Sequence, residues 1–195
     1  MYYAYILLSW FLFGLIHSLT ASLCMKQTMA NKLGTFNRYY RLLYNGVAVA
    51  TFVPVLWLHR TAPIDYVSSW RGSLWLGTLL AGVGLTIAVM ALRGYDMAEF
   101  VGWPATAKTS DSQELRQSGL LQYVRHPLYT GIILYLLGLL ITQPTWSYLI
   151  LLLAASIYIR IGIHFEEQKL VASFGNAYKQ YRQRVPMLIP RFSQP

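Results

Sequence analysis

The segment Gln122-Tyr123-Val124-Arg125-His126-Pro127-Leu128-Tyr129-Thr130-Gly131 lies where a polar part of the chain runs into an apolar one. A second polar cluster, Phe165-Glu166-Glu167-Gln168-Lys169, follows the next apolar run. Only Gln143-Pro144-Thr145 separates the two apolar runs, and two long helices joined by three residues must run antiparallel. The sequence therefore predicts a helical hairpin whose open end brings the two polar clusters together.

Helix geometry predicts the register of this hairpin. If both helices are regular and the turn is tight, paired residues have numbers that sum to roughly 288. Residue 123 is then expected in the region of roughly 165, and residue 126 in the region of roughly 162. This pairing places Tyr123, Arg125 and His126 near Glu166 and Glu167. A basic and aromatic cluster opposite two carboxylates is a candidate functional site.

The composition is that of a membrane protein. Of the 195 residues, 55% are hydrophobic and 12% are charged, whereas soluble domains carry about 25% charged residues. The length allows one compact bundle, so residues 1–195 are expected to form a single domain. The single cysteine, Cys24, excludes an internal disulfide, and the scattered histidines predict no metal site.

Five apolar segments have the length and composition of membrane helices. They are Tyr2 to Leu23, Leu42 to Leu58, Ser73 to Leu92, Pro127 to Thr142 and Trp146 to Ile163. The predicted fold class is therefore all-α, a polytopic membrane bundle of about five transmembrane helices. The fourth segment is short, with about 24 Å of helix against about 30 Å of hydrocarbon.

The basic residues predict the orientation of the bundle. The first-to-second connection, the third-to-fourth connection and the tail, taken with Arg160 at its edge, hold 14 of the 16 lysines and arginines. The positive-inside rule then predicts an outside N-terminus and a cytosolic C-terminus, with both polar clusters on the cytosolic face. The same rule explains the net charge of +9, and the sequence carries no motif for nucleic-acid binding.

Glycines and prolines predict where helices approach each other and where they end. Gly77, Gly82 and Gly84 in the third span predict close helix packing, and Gly131 predicts a close approach to the fourth helix. After the fifth span, the tail begins as an amphipathic helix, which Gly175 interrupts and the following prolines end.

Several residues of the candidate site also suit a purely structural role. Arg125 is typical of an interfacial anchor, His126 of a helix cap and Pro127 of the first helical turn. In the tail, Tyr178 and Tyr181 suit either an aromatic belt at the membrane surface or cation–π contacts with a ligand. The residues alone leave these alternatives open.

The two glutamates need partners, because acidic groups near the membrane are rarely left alone. Glu166 and Glu167 suit a salt bridge to Arg125, Arg182 or Arg184. They equally suit contact with a cationic or hydroxyl-rich ligand, such as an amine, a ribose or a sulfonium.

The motifs of the C-terminal region resemble one known family. They are Gly119-Leu120, Tyr123-Val124-Arg125-His126-Pro127-Leu128-Tyr129-Thr130-Gly131, Glu166-Glu167, Phe174-Gly175-x-x-Tyr178-x-x-Tyr181 and Arg184-Val185-Pro186-x-x-x-Pro190. In this order and spacing they resemble the isoprenylcysteine carboxyl methyltransferase-like family of integral membrane methyltransferases. The resemblance covers residues 115–190 and implies a cofactor-binding catalytic core there, with a cytosolic C-terminal helix over the cofactor site.

The resemblance also implies a cofactor and the residues that contact it. The cofactor is S-adenosylmethionine, bound on the cytosolic side, and the methyl group passes to an acceptor that reaches in from the bilayer. The implied cofactor contacts are Gly119, Leu120, Tyr123, His126, Pro127, Tyr129 and Gly131. Further contacts, or positioning of the acceptor, are implied at Glu166, Glu167, Tyr178, Tyr181 and Arg184.

The chemistry of methyl transfer suggests catalytic roles. Displacement at a sulfonium needs alignment and exclusion of water more than a metal or a covalent nucleophile. For an anionic acceptor, Arg125 or Arg184 is expected to hold the anion, and Glu167 or His126 to orient the acceptor or take a proton.

The N-terminal part bears on the acceptor. His17-Ser18-Leu19 and Tyr40-Arg41-Leu42-Leu43-Tyr44-Asn45 are similar to the small bacterial branches that act on small thiols, and to NnrU-type proteins. A prenylcysteine carboxylate, a small thiol and a lipid amine are all candidate acceptors. The expected partners are this acceptor and membrane lipids, and the expected location is a prokaryotic cytoplasmic membrane.

Two other function classes stay open at this point. Arg125-His126-Pro127-x-Tyr129-x-Gly131 and His164-Phe165-x-Glu167 also resemble parts of membrane sterol reductases, which bind NADPH. An NADPH site needs several cations for its phosphates, and Arg182 and Arg184 are few. The other class is a non-enzymatic membrane protein that shares the fold.

Overall fold

The computed structural model describes residues 1–33, 38–67, 72–103 and 115–191. The α-helices of this part are α1 (Tyr2–Ala21), α2 (Leu23–Leu33), α3 (Tyr40–Arg60), α4 (Leu74–Leu92), α5 (Met97–Val101), α6 (Pro127–Thr142), α7 (Trp146–Phe174) and α8 (Asn176–Arg184). A 3-10 turn covers Gly119–Gln122. The described ranges contain no strand, apart from an isolated bridge between Tyr66 and Thr145.

Four of these helices are long and apolar enough to cross a membrane, namely α1, α3, α4 and α7. The fifth predicted span, α6, has 16 residues and is apolar but shorter. The predicted all-helical membrane bundle is therefore confirmed. The orientation of its termini across the membrane stays a prediction.

Helix α7 joins the fifth predicted span, Trp146 to Ile163, to the helix predicted at the start of the tail. It runs without a break for 29 residues. This corresponds to about 44 Å of helix, against about 30 Å of hydrocarbon. The excess length carries the two glutamates on the same rigid rod as the span.

The chain forms two compact units. The first comprises Met1–Asp65 and Tyr95–Lys108, and the second comprises Tyr66–Gly94 and Thr109–Pro195. The second unit contains the predicted core of residues 115–190 and adds α4 to it. The expectation of a single functional domain over residues 1–195 stays a prediction.

Aromatic packing between α1 and α3 holds the first unit together. The rings of Trp10, Phe13 and Phe52 lie 5.0 to 6.0 Å apart between centroids. The indole of Trp10 also donates a hydrogen bond of 2.9 Å to Nε2 of His59. Two polar groups of these apolar helices are thus paired where the helices meet, as is favoured between membrane helices.

Backbone contact between α4 and α6 defines the second unit. A Cβ atom built on Gly84 would lie 2.7 Å from the carbonyl oxygen of Gly131, and one on Gly131 would lie 2.6 Å from that of Gly84. Gly77 and Gly138 meet in the same way, two helical turns away, at 2.7 Å in each direction. The glycines therefore let the two backbones touch, which provides the dispersion contact that holds helices together in lipid.

The glycine predictions are confirmed in part. Gly77 and Gly84 pack against α6 as expected, and the close approach predicted at Gly131 is made by α4. The prediction for Gly82 is wrong within the described residues, because a Cβ atom there would meet nothing within 4 Å. Gly82 lies five residues from Gly77 and two from Gly84, so it falls on a different face of the helix.

The C-terminal strap, defined here as Val185 to Pro190, runs beside the residues that precede α6. The backbone N–H of Arg125 donates to the carbonyl of Pro186 at 2.9 Å, and that of His126 to Met187 at 3.1 Å. The hydroxyl of Thr130 donates to the carbonyl of Leu188 at 2.8 Å. These bonds fasten the end of the chain to the start of α6.

A sharp corner separates α7 from α8. Gly175 forms this corner with a φ of 56°, in the left-handed region that favours glycine. The predicted interruption at this residue is confirmed. The turn directs α8 back so that Tyr178 and Tyr181 are buried, 1% and 3% exposed.

The predicted hairpin register is wrong by about one helical turn. His126 was expected in the region of residue 162, but its Nε2 atom lies 3.2 Å from Oε1 of Glu167. The residues directly before Pro127, from 123 to 126, are not helical, so each advances farther than the 1.5 Å rise of a helix. The side chain of Glu167 also leans towards the N-terminus of α7, as helical side chains do.

Part of the connection between the third and fourth predicted spans, residues 104–114, lies outside the described ranges.

The glycine contacts predict a position-specific packing defect. Gly84→Leu should destabilise the protein by about 3 kcal/mol, because the side chain must displace the backbone of α6. Gly82→Leu is the matched control on the same helix, since its site is open and leucine favours a helix over glycine by about 1 kcal/mol. The measurement is the thermal unfolding midpoint in detergent. Equal losses in the two variants would contradict the α4–α6 contact.

Candidate active site

Arg125 is held by hydrogen bonds to three residues of the site. Its Nε donates to Oε1 of Glu167 at 2.8 Å, and its Nη2 lies 2.6 Å from the same oxygen. Its Nη1 donates to the carbonyls of Val185 at 2.6 Å and Arg182 at 3.2 Å. The side chain is 7% exposed. The guanidinium therefore links α7, the end of α8 and the C-terminal strap.

Glu167 is the carboxylate at the centre of the cluster. It lies on α7 and is buried, as Oε1 accepts from Arg125 and approaches Nε2 of His126. Its Oε2 lies 3.8 Å from Nη1 of Arg182, whose side chain is half exposed. A buried charge needs such partners, because removal from water costs several kcal/mol per ion, on the order of the pairing energy itself.

The ring of His126 lies between two carboxylates. Nε2 faces Oε1 of Glu167, and since an ionised carboxylate only accepts, Nε2 carries the hydrogen. Nδ1 faces Oε2 of Glu166 at 3.7 Å, which is longer than a hydrogen bond. The ring lies beside Tyr129, with centroids 5.8 Å apart. The imidazole is buried, and its Nδ1 atom makes no hydrogen bond to Glu166.

Two buried tyrosines of α8 close the site. The hydroxyl of Tyr181 donates to the carbonyl of Leu121 at 2.7 Å, and burial raises the pKa of Tyr181 to about 12, with Arg125 opposing the shift. Burial and the charge of Glu167 also raise the pKa of Tyr178, so its hydroxyl stays protonated. Within the described residues this hydroxyl makes no hydrogen bond. Burial of both rings disfavours a simple aromatic belt.

The structure brings together part of the predicted site. Arg125, His126, Glu166 and Glu167 form one cluster, as expected from the hairpin. The alternative of a salt bridge between Glu167 and Arg125 is thereby observed. Tyr123, which the sequence placed with these residues, has a side chain that is largely exposed, at 62%.

The remaining predicted residues are placed as follows. Gly119 is exposed with a φ of 66°, at the start of the 3-10 turn that also contains Leu120. Pro127 is buried as the first residue of α6. Gly131 faces α4, so helix packing alone accounts for the glycine there. Arg184 is exposed in the last turn of α8. The contacts expected between these residues and a cofactor stay predictions.

Sequence reasoning missed the contribution of the backbone. The carbonyls of Arg182, Val185, Pro186 and Met187 fix Arg125 and His126, and Thr130 fixes the strap. Carbonyl acceptors exist at every residue, so side-chain identities give no signal for them. In the described ranges no group of three or more His, Cys, Asp or Glu residues is placed to hold a metal ion.

Comparison with known proteins identifies the relatives of the chain. The family model described as NnrU protein matches residues 5–190. Methanethiol S-methyltransferase 2 of Bradyrhizobium diazoefficiens is 32% identical in an alignment 201 positions long. The alignment covers 92% of this chain and 70% of that protein. Methanethiol S-methyltransferase of Crocosphaera subtropica is 45% identical over 69 residues, covering 35% of this chain and 26% of that protein.

A eukaryotic relative is detected as well. Protein-S-isoprenylcysteine O-methyltransferase of Schizosaccharomyces pombe is 31% identical over 128 residues, which cover 65% of this chain and 52% of that protein. No solved structure matches the chain significantly. The resemblance read from the motifs is therefore confirmed: the chain belongs to the NnrU family, among the isoprenylcysteine carboxyl methyltransferase-like membrane proteins.

Proposed function

We propose that this chain is an integral membrane S-methyltransferase that transfers a methyl group from S-adenosylmethionine to a small thiol. The observation that carries the proposal is the buried His126, fixed through Nε2 by Glu167 and open at Nδ1. Relatives whose names specify methanethiol align with 92% and 72% of this chain. We further propose that the protein lies in a prokaryotic cytoplasmic membrane with this site on the cytosolic face.

The residues of the cluster suit S-adenosylmethionine, which supplies a methyl group already activated on a positively charged sulfur. Glu166 offers a carboxylate that is 38% exposed at its side chain, suited to the ligand's positive charge. The rings of Tyr129 and Tyr123 can add cation–π attraction, and the exposed Arg184 suits the ligand's carboxylate. The unpartnered hydroxyl of Tyr178 offers a buried hydrogen bond to a polar ligand.

We assign Arg125 and Glu167 to support rather than to ligand binding. Arg125 already directs its donors to Glu167 and to two backbone carbonyls. Glu167 accepts from Arg125 and His126 with one oxygen and faces Arg182 with the other. This network positions His126 and the C-terminal strap, and it excludes water from the reacting groups. Of the two arginines that the sequence offered for holding an anion, Arg184 is then left to bind one, here the carboxylate of S-adenosylmethionine.

A reductase that uses NADPH is the weaker candidate. Such a site needs several cations for the phosphates, whereas Arg125 is engaged within the protein and Arg182 lies beside Glu167. The relatives described above are named methyltransferases, whether their acceptor is methanethiol or isoprenylcysteine.

Ligand-dependent stability separates the two cofactors. S-Adenosylhomocysteine at about 100 times its Kd should stabilise the detergent-purified protein by about 2.7 kcal/mol, because a ligand that binds only the folded state favours it. NADPH at the same concentration should leave the unfolding midpoint unchanged. Stabilisation by NADPH alone would overturn the methyltransferase proposal.

Neighbouring glutamates provide a matched test of the support network. Glu167→Gln should cost about 3 kcal/mol and abolish methyl transfer, because the buried guanidinium of Arg125 loses its counter-charge. Glu166→Gln should change stability by no more than about 0.5 kcal/mol, since that side chain is partly exposed. Thermal unfolding in detergent measures the stability of both variants, and a methyl-transfer assay measures the activity of Glu167→Gln. A Glu167→Gln variant as stable and active as the parent would contradict this role.

A further inference from the structure

A thiol acceptor sets a chemical requirement that a carboxylate acceptor does not. The thiolate is the nucleophile, yet an ordinary alkyl thiol has a pKa of about 8.5 or higher and is mostly protonated at neutral pH. A methyltransferase that acts on such a thiol therefore gains from a base within reach of the S–H group. Such a base must be a group of this site that has a free lone pair.

Most charged groups of the cluster are already engaged. Arg125 has no acceptor atom. The oxygen Oε1 of Glu167 accepts from both Arg125 and His126, and the positive charge of Arg182 lies 3.8 Å from Oε2, so this carboxylate is a weak base. Tyr178 keeps its proton, because burial and the charge of Glu167 raise its pKa. This leaves His126 and the partly exposed Glu166.

The geometry singles out one nitrogen of His126. Because Nε2 donates to Glu167, the lone pair of the neutral ring lies on Nδ1. The backbone of His126 is pinned by its bond to Met187, and its ring lies against Tyr129. The base is therefore held in one orientation, which is the condition for efficient proton transfer.

Two carboxylates stabilise the ring once it has taken a proton. Oε1 of Glu167 lies 3.2 Å from Nε2, and Oε2 of Glu166 lies 3.7 Å from Nδ1. The nearby cations Arg125 and Arg182 act against this effect. Both lie beside Glu167, so they partly neutralise the charge of that carboxylate. Glu166 is then the carboxylate that faces the proton on Nδ1.

We propose that His126 is the general base of the reaction and that Nδ1 is the atom that receives the thiol proton. The S–H bond breaks as its proton passes to Nδ1, and the electron pair left on sulfur forms the new bond to the methyl carbon. The bond between that carbon and the donor's sulfonium breaks, with its electron pair remaining on the donor sulfur. The proton then leaves Nδ1 for water by way of Glu166. This inference rests on the proposed thiol acceptor.

Acceptors of different acidity test this role. The variant His126→Asn keeps a donor for Glu167 but has no base, so methylation of an alkyl thiol should fall by about a hundredfold or more. An aryl thiol is already ionised at neutral pH, and its methylation should fall by no more than about threefold, since no base is needed for it. A purely structural role would lower both rates equally, and that result would overturn the proposal.

The same experiment distinguishes a failed base from a failed acceptor. If the parent protein methylates thiols but His126→Asn loses all of them in equal proportion, only the base assignment is wrong. If the parent protein binds S-adenosylhomocysteine but methylates no thiol, the proposed acceptor is wrong and the base assignment falls with it.

A spectroscopic readout tests the tautomer without turnover. The chain has four histidines, so nitrogen NMR of histidine-labelled protein shows four imidazoles, and the His126→Asn variant assigns one of them. The expected signature is a protonated Nε2 and an unprotonated Nδ1 on the neutral ring. The opposite tautomer would overturn the proposal.

Discussion

The buried ion pair between Arg125 and Glu167 is the interaction on which the site depends. Taking both charges out of water is costly, and the cost is recovered only because every nearby segment supplies a partner. The end of α8 and the C-terminal strap give carbonyls to Arg125, and the start of α6 gives His126 to Glu167. One pair thus ties three parts of the chain together, and none of them can move without breaking a hydrogen bond to one of the two buried charges.

The helices make this pair possible because they fix the positions of the segments that carry Arg125 and Glu167. Glycines at two levels let α4 and α6 touch along their backbones, which sets the position of the residues that precede α6. Helix α7 continues past its apolar part as a single rod and carries Glu167 to the same level. The turn at Gly175 then folds α8 back, so that Tyr178 and Tyr181 close the cluster. The result is a water-poor site with polar groups, the environment that methyl transfer needs.

The sequence predicts the members of this cluster better than their geometry. The spans could be predicted from hydropathy, which is a local property of the sequence. The meeting of Arg125 and His126 with the two glutamates could be predicted from the short turn between two of these spans. The register of the hairpin could not be predicted in this way. It depends on the residue at which α6 begins and on the direction in which the Glu167 side chain leans. The engagement of Arg125 with backbone carbonyls leaves no trace in the residue types. Gly82 shows the same limit, since a glycine in a span does not reveal which face meets a neighbour.

The central claim is that this membrane protein moves a methyl group onto a small thiol. The most direct measurement supplies the purified full chain with S-adenosylmethionine labelled in its methyl group, together with methanethiol, and follows the volatile product by mass spectrometry. The account predicts labelled dimethyl sulfide that accumulates with time and depends on both substrates. If folded protein that binds S-adenosylhomocysteine forms no labelled product from methanethiol or from larger thiols, the claim is contradicted.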